Sequence, residues 1–378
     1  MEHSAPAPLR VLWLTKGLGP GGAERLLVTH AALSDSAAFA YEAAYLLPGK
    51  DHLVSDLEAL GVRTHCLDGS READVRWAGR LRRLLRRGRF DVLHSHSPYP
   101  ATLARLVSRS LPRSTRPALV YTEHNRWPSH NRLTRTANRL TYGFDDAHLA
   151  VSDDVRDSTS RRWRDHVEVV VHGVDVDAVR RVGSDRAAAR AELGVTEGDV
   201  LVGTVAHLRA TKGYPDLVEA ARIVTSADPA TRFVAVGHGP MTDEVAQRAR
   251  ELGLGDRFRL LGYRGDALRV IAALDVFVLA SHHEGRPVAL MEAMALGRPC
   301  VTTAVGDMPV LLDQGTAGVL VAPGAPGELA AAILALTGDE ARRAELGGAA
   351  ARRADAYGGR AAVAEIERVY RRVAGGRR

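Results

Sequence analysis

Short apolar runs recur along this chain, each followed by a helical pattern, and the series is run through twice. In the first half the apolar runs lie at 10–14, 43–47, 63–66, 92–94, 118–122, 148–151 and 168–171. Helical patterns at 23–33, 53–60 and 77–86 separate the earlier ones. A second series has runs at 200–206, 232–236, 258–261, 276–279, 300–303 and 318–321, with helical patterns at 214–225, 241–252, 265–273, 288–296 and 327–336. Strands alternating with helices imply βαβ units and parallel, doubly wound sheets. The expected fold is α/β, with two Rossmann-like domains in series. The segment His172-Gly-Val-Asp175 reads as a hinge, and helices fill 338 to about 374. Ligand is expected at the carboxyl ends of the strands, in a cleft between the domains.

With 378 residues, each domain is large enough for its own core. Cys66 and Cys300 are the two cysteines and cannot build a disulfide framework, so a reducing cytoplasm is expected. Neither cysteine nor histidine spacing suggests a metal site. No apolar run approaches transmembrane length, and the first eight residues read as a disordered tail without a secretion signal. The formal charge is +6, yet only Lys16, Lys50 and Lys212 are lysines among 51 basic residues. Arginine on this scale reflects a genome's coding bias and is weak evidence for nucleic acid. No aromatic interleaving or nucleic-acid module accompanies it, so no nucleic-acid partner is expected.

The stretch 282–300, HHEGRPVALMEAMALGRPC, is the most specific chemical signal. Glu284 lies in a loop after an apolar strand, and Glu292 follows eight positions later in a helix. An all-helical path would separate them by about 12 Å. That is too far for the carboxyl pair of a retaining glycosidase, about 5 Å apart. Two acids flanking a helix N-terminus suit the two ends of an elongated anion better. The bland alternative makes Glu284 a cap and Glu292 a solvated helix residue.

Other residues at strand ends offer supporting chemistry. Gly17, Gly19 and Gly22 match G-x-G-x-x-G after the first strand, but Asp51 comes too late for a dinucleotide reading. A tight strand-to-helix turn remains the structural alternative. His94, His96, Glu123 and His124 follow the fourth and fifth strands. A core role is favoured for His94 and a functional one for His124, with His96 open. Lys212 stands at the mouth of the second domain's first strand, where a compact ammonium suits a diphosphate. The turn at 237–240 (GHGP), with Tyr263 and Arg264, gives weaker signals.

In order, GPGGAER, HSH, TEHN, VSDDV, HGVD, LRATKG, GHGP, LLGYRGD, E-x7-E and GVLVAPG resemble the retaining GT-B glycosyltransferases of the family 4, group 1 type. The resemblance covers nearly the whole chain. It implies GT-B architecture: two facing Rossmann-like domains with an interdomain cleft. The expected divisions are 1–172 (acceptor side), 173–355 (nucleotide-sugar side) and a C-terminal helix, 356–378, packing back toward the first domain. It implies Glu292 on the ribose, Lys212 on the diphosphate, and Glu284 by the donor sugar with His124. The amides after Pro287, that of Val288 included, would meet sugar or phosphate, with Arg286 beside them. Gly21 and Gly22 would close over the phosphates or the acceptor side, and His96, Glu123 and His207 would make further contacts.

Metal and resident cofactor are not implied. The co-substrate is a nucleoside-diphosphate sugar, UDP favoured over GDP. The acceptor would be a glycan, lipid-linked or small-molecule hydroxyl, and the chain a monomer or homodimer. Departures are His207 in place of an arginine, for which Arg209 could substitute, Arg286 in place of an aromatic, and Gly306-Asp-Met-Pro-Val310 where the family has GG-x-x-E, losing one glycine and the final acid. Alternatives are a nucleotide-sugar epimerase, a phosphorylase, or a non-catalytic sugar-nucleotide binder. The basic runs 80–89 and Arg132, Arg135 and Arg139 raise peripheral contact with an anionic membrane, against the plainer reading of solvated arginine faces.

Overall fold

The computed structural model describes residues 7–19, 21–69, 74–196 and 198–376. Most of the expected N-terminal tail therefore lies outside the described residues. The chain divides into two compact units, Met1–His172 with Gly359–Arg378, and Gly173–Gly358.

The first unit holds a parallel sheet of β1 (Leu9–Thr15), β2 (Phe39–Tyr45), β3 (Arg63–Cys66), β4 (Val92–Ser95), β5 (Ala118–Glu123), β6 (Ala147–Ala150) and β7 (Val167–Val169). Their spatial order is β3-β2-β1-β4-β5-β6-β7. Strand order reverses between β1 and β4, where the loops after these strands part to opposite faces. β1 and β5 carry the apolar runs 11–14 and 118–121 because helices cover both faces of the sheet. The expected strand at 43–47 instead runs Phe39–Tyr45. Leu46 and Leu47 leave the sheet because both amides donate to the Lys16 carbonyl. The helix Pro98–Arg109, opened by a proline in its first turn, was not read from the sequence.

The last helix, Gly359–Gly375, belongs to the first unit. Ile366, Val369, Tyr370 and Val373 join its core beside Val11, Trp13 and Val92. The Trp13 indole donates to the Tyr370 hydroxyl at 3.2 Å, deep in that core.

The second unit holds β8 (Val200–Val205), β9 (Thr231–Val236), β10 (Phe258–Gly262), β11 (Val276–Leu279), β12 (Cys300–Thr303) and β13 (Val319–Val321). All pairings are parallel, in the order β10-β9-β8-β11-β12-β13. Its switch point falls between β8 and β11, and two clusters of buried side chains fill the two faces of the sheet. Among the described residues no helix is long and apolar enough to cross a membrane.

Candidate functional site

The second sheet's carboxyl edge brings the strongest sequence signals together. Loops after β8 and β11 run side by side at the switch point. The amides of His282 and His283 both donate to the Thr211 carbonyl, at 2.9 and 3.2 Å. Gly213 permits this approach, since its φ is +62° and a Cβ there would lie 1.9 Å from the Ala280 carbonyl oxygen. A side chain would force the two loops apart.

Held this way, Lys212 Nζ reaches Glu284 Oε1 at 2.5 Å. The Ser281 hydroxyl donates to the same oxygen at 2.8 Å, and Thr303 Oγ1 donates to the Ser281 carbonyl at 2.5 Å. The sequence sets Lys212 and Glu284 against different parts of a ligand; the structure joins them in one ion pair. Its acid is nearly buried (6% side-chain exposure) while the lysine keeps 22%. A buried carboxylate with a cation and a hydroxyl on one oxygen keeps its charge at low cost. Ser281 and Thr303 were missed by the sequence reading. The i, i+3 spacing of Ser281 and Glu284 across a strand end is the signal that could have found the first.

Beyond Glu284 the chain turns through Pro287 into the helix Val288–Ala295, whose start has no side-chain cap. Its first amides, beginning at Val288, form a positive end beside the ion pair. Glu292 is half-buried and opens the second turn. His207 and Arg209 are exposed on the loop after β8. Gly239 packs under that loop, where a Cβ would come within 2.6 Å of His207 Nδ1.

Arg286 is held by side chains of its own unit. Its Nε donates to Asp307 Oδ2 at 3.0 Å, its guanidinium lies 5.2 Å from the Tyr357 ring centroid, and 6% of its side chain is exposed. Asp307 in turn donates its amide to the Gly285 carbonyl at 3.1 Å. Gly306 has φ +56°, and a Cβ there would meet the Glu284 carbonyl oxygen at 2.2 Å. Two of the departures noted in the sequence are thus partners: the arginine in the first loop pairs with the aspartate after β12.

In the first unit, His94, His96, His124 and His172 form a column. Ring centroids are 4.0 Å apart for His94 and His96, 5.5 Å for His96 and His124, and 5.4 Å for His124 and His172, which stack at 9°. His94 is a core residue, with Nδ1 2.6 Å from the Tyr370 hydroxyl and Nε2 2.7 Å from Thr122 Oγ1. His96 Nδ1 lies 3.2 Å from His124 Nε2. Burial, with the neighbouring imidazoles, pushes His94 and His96 well below the usual histidine range, and burial takes His124 down to about 4. These three rings are therefore neutral at pH 7.

Glu123 is turned inward, 1% exposed. It accepts from the Tyr121 hydroxyl at 2.9 Å and lies 3.1 Å from His130 Nε2. Gly21 precedes the helix Gly22–Leu33 in extended conformation, and a Cβ on it would meet Glu24 Oε2 at 2.3 Å. Among the described residues, no three His, Cys, Asp or Glu side chains are grouped to hold a metal ion.

The family described as Glycosyl transferases group 1 matches residues 185–353. Its companion, Glycosyltransferase Family 4, matches residues 20–178. The chain is a group 1 glycosyltransferase. Two curated relatives agree. The N-acetyl-alpha-D-glucosaminyl L-malate synthase of Bacillus anthracis is 26% identical over 72% of both chains. The UDP-Gal:alpha-D-GlcNAc-diphosphoundecaprenol alpha-1,3-galactosyltransferase of Escherichia coli is 24% identical over 72% of this chain and 73% of its own. The crystal structure of Anabaena HepE with UDP and glucose superposes with TM-score 0.82 at 22% identity. It covers 96% of this chain and 99% of that one. The fold of this glycosyltransferase is accordingly GT-B, with two Rossmann-like units.

Proposed function

We propose that this glycosyltransferase moves a hexose or N-acetylhexosamine, with retention and without a metal, from a nucleoside-diphosphate sugar to a hydroxyl of a glycan, lipid-linked or small-molecule acceptor. The observation that carries the reading is the Lys212–Glu284 pair, set beside the uncapped helix start at Val288. An arriving diphosphate competes with Glu284 for Lys212. The displaced carboxylate then accepts from the hydroxyls of the donor sugar, and the amides from Val288 onward face the phosphates. Arg209 adds a second cation on the same loop, and Glu292 takes the ribose hydroxyls. UDP is the favoured nucleotide: HepE was crystallised with UDP, and the E. coli relative is named for UDP-Gal.

In the reaction the bond from the anomeric carbon to the β-phosphate oxygen breaks. The acceptor oxygen bonds to that carbon from the same face. The acceptor's proton passes to the departing phosphate oxygen, and the protein supplies position and charge. The first unit, with Gly21, Gly22, His96 and His124, is the acceptor side. Neutral imidazoles there orient a hydroxyl without ionising it.

The test is thermal shift against a panel of nucleotides and nucleotide sugars, followed by product analysis with chelator present. Ligand binding raises the melting temperature by mass action. A UDP-sugar response, then transfer or slow donor hydrolysis unaffected by chelator, is expected. Binding with neither transfer nor hydrolysis would sink the catalytic reading, and recovery of an epimerised donor would replace it.

A further inference from the structure

The helix Arg132–Thr141 wears its amphipathic pattern inside out. Its inner face is polar. Asn138 Oδ1 and Thr141 Oγ1 accept from Arg105 Nη1 at 2.7 and 3.0 Å. Arg105 is itself 1% exposed, is paired with Asp145 at 2.7 Å, and lies over the rings of Tyr121 and Tyr142. The outer face carries the leucines. Leu133 and Leu140 are 80% and 77% exposed, the most exposed of the large apolar side chains among the described residues. Seven positions apart, they share one face about 10.5 Å along the helix. A helix bathed in water on its outer side places such residues inward.

Charge indicates what lies against that face. Arg132 and Arg139 are exposed beside the leucines, and no Asp or Glu occurs from 124 to 144. The other basic run behaves conventionally: in the helix Arg76–Gly88, Trp77, Leu81 and Leu85 are buried and the arginines form a solvated face.

We propose that the outer face of Arg132–Thr141 docks on an anionic membrane surface. Leu133 and Leu140 enter the boundary between headgroups and acyl chains, and Arg132 and Arg139 meet lipid phosphates. Resting on the glycosyltransfer reading above, this narrows the acceptor to a lipid-linked one, reached from the membrane surface.

The experiment is co-sedimentation of the full chain with phosphatidylcholine vesicles, with and without equal parts phosphatidylglycerol, at low and raised salt. It uses no donor or acceptor, so its failure is separate from failure of the glycosyltransfer reading. Wild type is expected on phosphatidylglycerol vesicles at low salt, released by raised salt. Leu133→Ser/Leu140→Ser weakens binding at least about tenfold. Arg132→Gln/Arg139→Gln weakens it by about tenfold or more and flattens the salt response. Melting curves confirm that both variants fold. Absence of wild-type binding to the anionic vesicles overturns the proposal, as does unchanged binding by the leucine variant. Self-association in sedimentation velocity that the leucine variant abolishes, without vesicle binding, also overturns it and makes the face a contact between two copies.

Discussion

At the carboxyl edge of the second sheet Lys212 and Glu284 meet as full charges, and Arg286 and Asp307 do the same one loop away. At the corresponding edge of the first sheet a column of imidazoles, three of them kept neutral by burial, stands beside Glu123, which is paired with His130. The same βα architecture thus carries two kinds of polar site. A full charge survives desolvation only when paired, and a paired charge is available to a ligand that offers a better partner. Neutral rings offer single hydrogen bonds and reject charge. The first arrangement suits a diphosphate and the second a hydroxyl.

The comparison breaks most readily at Lys212. Lys212→Ala and Glu284→Ala are each expected to lower turnover at least ~100-fold, in the range for a lost electrostatic donor. Near-normal initial rates in Lys212→Ala would remove the diphosphate assignment. Next in size is the neighbouring pair. Arg286→Ala or Asp307→Ala leaves a nearly buried charge without its ion-pair partner and is expected to destabilise by about 3 kcal/mol. Urea unfolding measures this, and a double variant whose loss equals the sum of the two single losses would show that the pair itself does not matter.

Acid should separate the two units. His124 at about 4 and His30 at about 3, both lowered by burial, bind protons more weakly folded than unfolded. Their stabilisation is present above the ordinary histidine value, about 6.5, and is lost as pH falls below it. In the second unit Asp199 is held at about 2: burial raises it, but hydrogen bonds from Arg232 and Thr196 outweigh that. Its contribution persists to about pH 4 and is lost below. Hydrogen exchange between pH 7 and 5 should therefore loosen the first unit before the second. Smallest is His124→Gln. Loss or distortion of one neutral hydrogen bond lowers kcat/KM by about 2–10-fold. A fall matching that of Lys212→Ala would mean that the first unit's edge is not the neutral site described.

Strands were the most legible part of the chain, because a parallel sheet covered on both faces demands apolar runs such as 11–14 and 276–279. Helices were less so. Pro98–Arg109 is rich in small and polar residues and packs through alanines, which leave little periodic signal. In Arg132–Thr141 the arginine spacing was visible but the buried face was not, since polar side chains fill it around Arg105. The site residues could be named individually, each at a strand end, yet their contacts could not. Lys212 and Glu284 lie 72 positions apart, and Arg286 and Asp307 lie 21 apart across an intervening strand. Two apparent departures from a family pattern were one compensated interaction, visible only when the turn after β12 was set against the loop after β11.

The first unit borrows its last helix from the far end of the chain. On the ribosome, residues through 172 emerge while Gly359–Gly375 has yet to be made. At about 5–20 residues per second that interval is roughly 10–40 s. Throughout it Trp13 and His94 lack the Tyr370 hydroxyl that both later contact, and the apolar side chains of the first core beside it stand open. The second unit is continuous in sequence and is complete at Gly358, before the first residue of that helix is added. Synthesis therefore inverts the order of the chain: the unit made first is finished last.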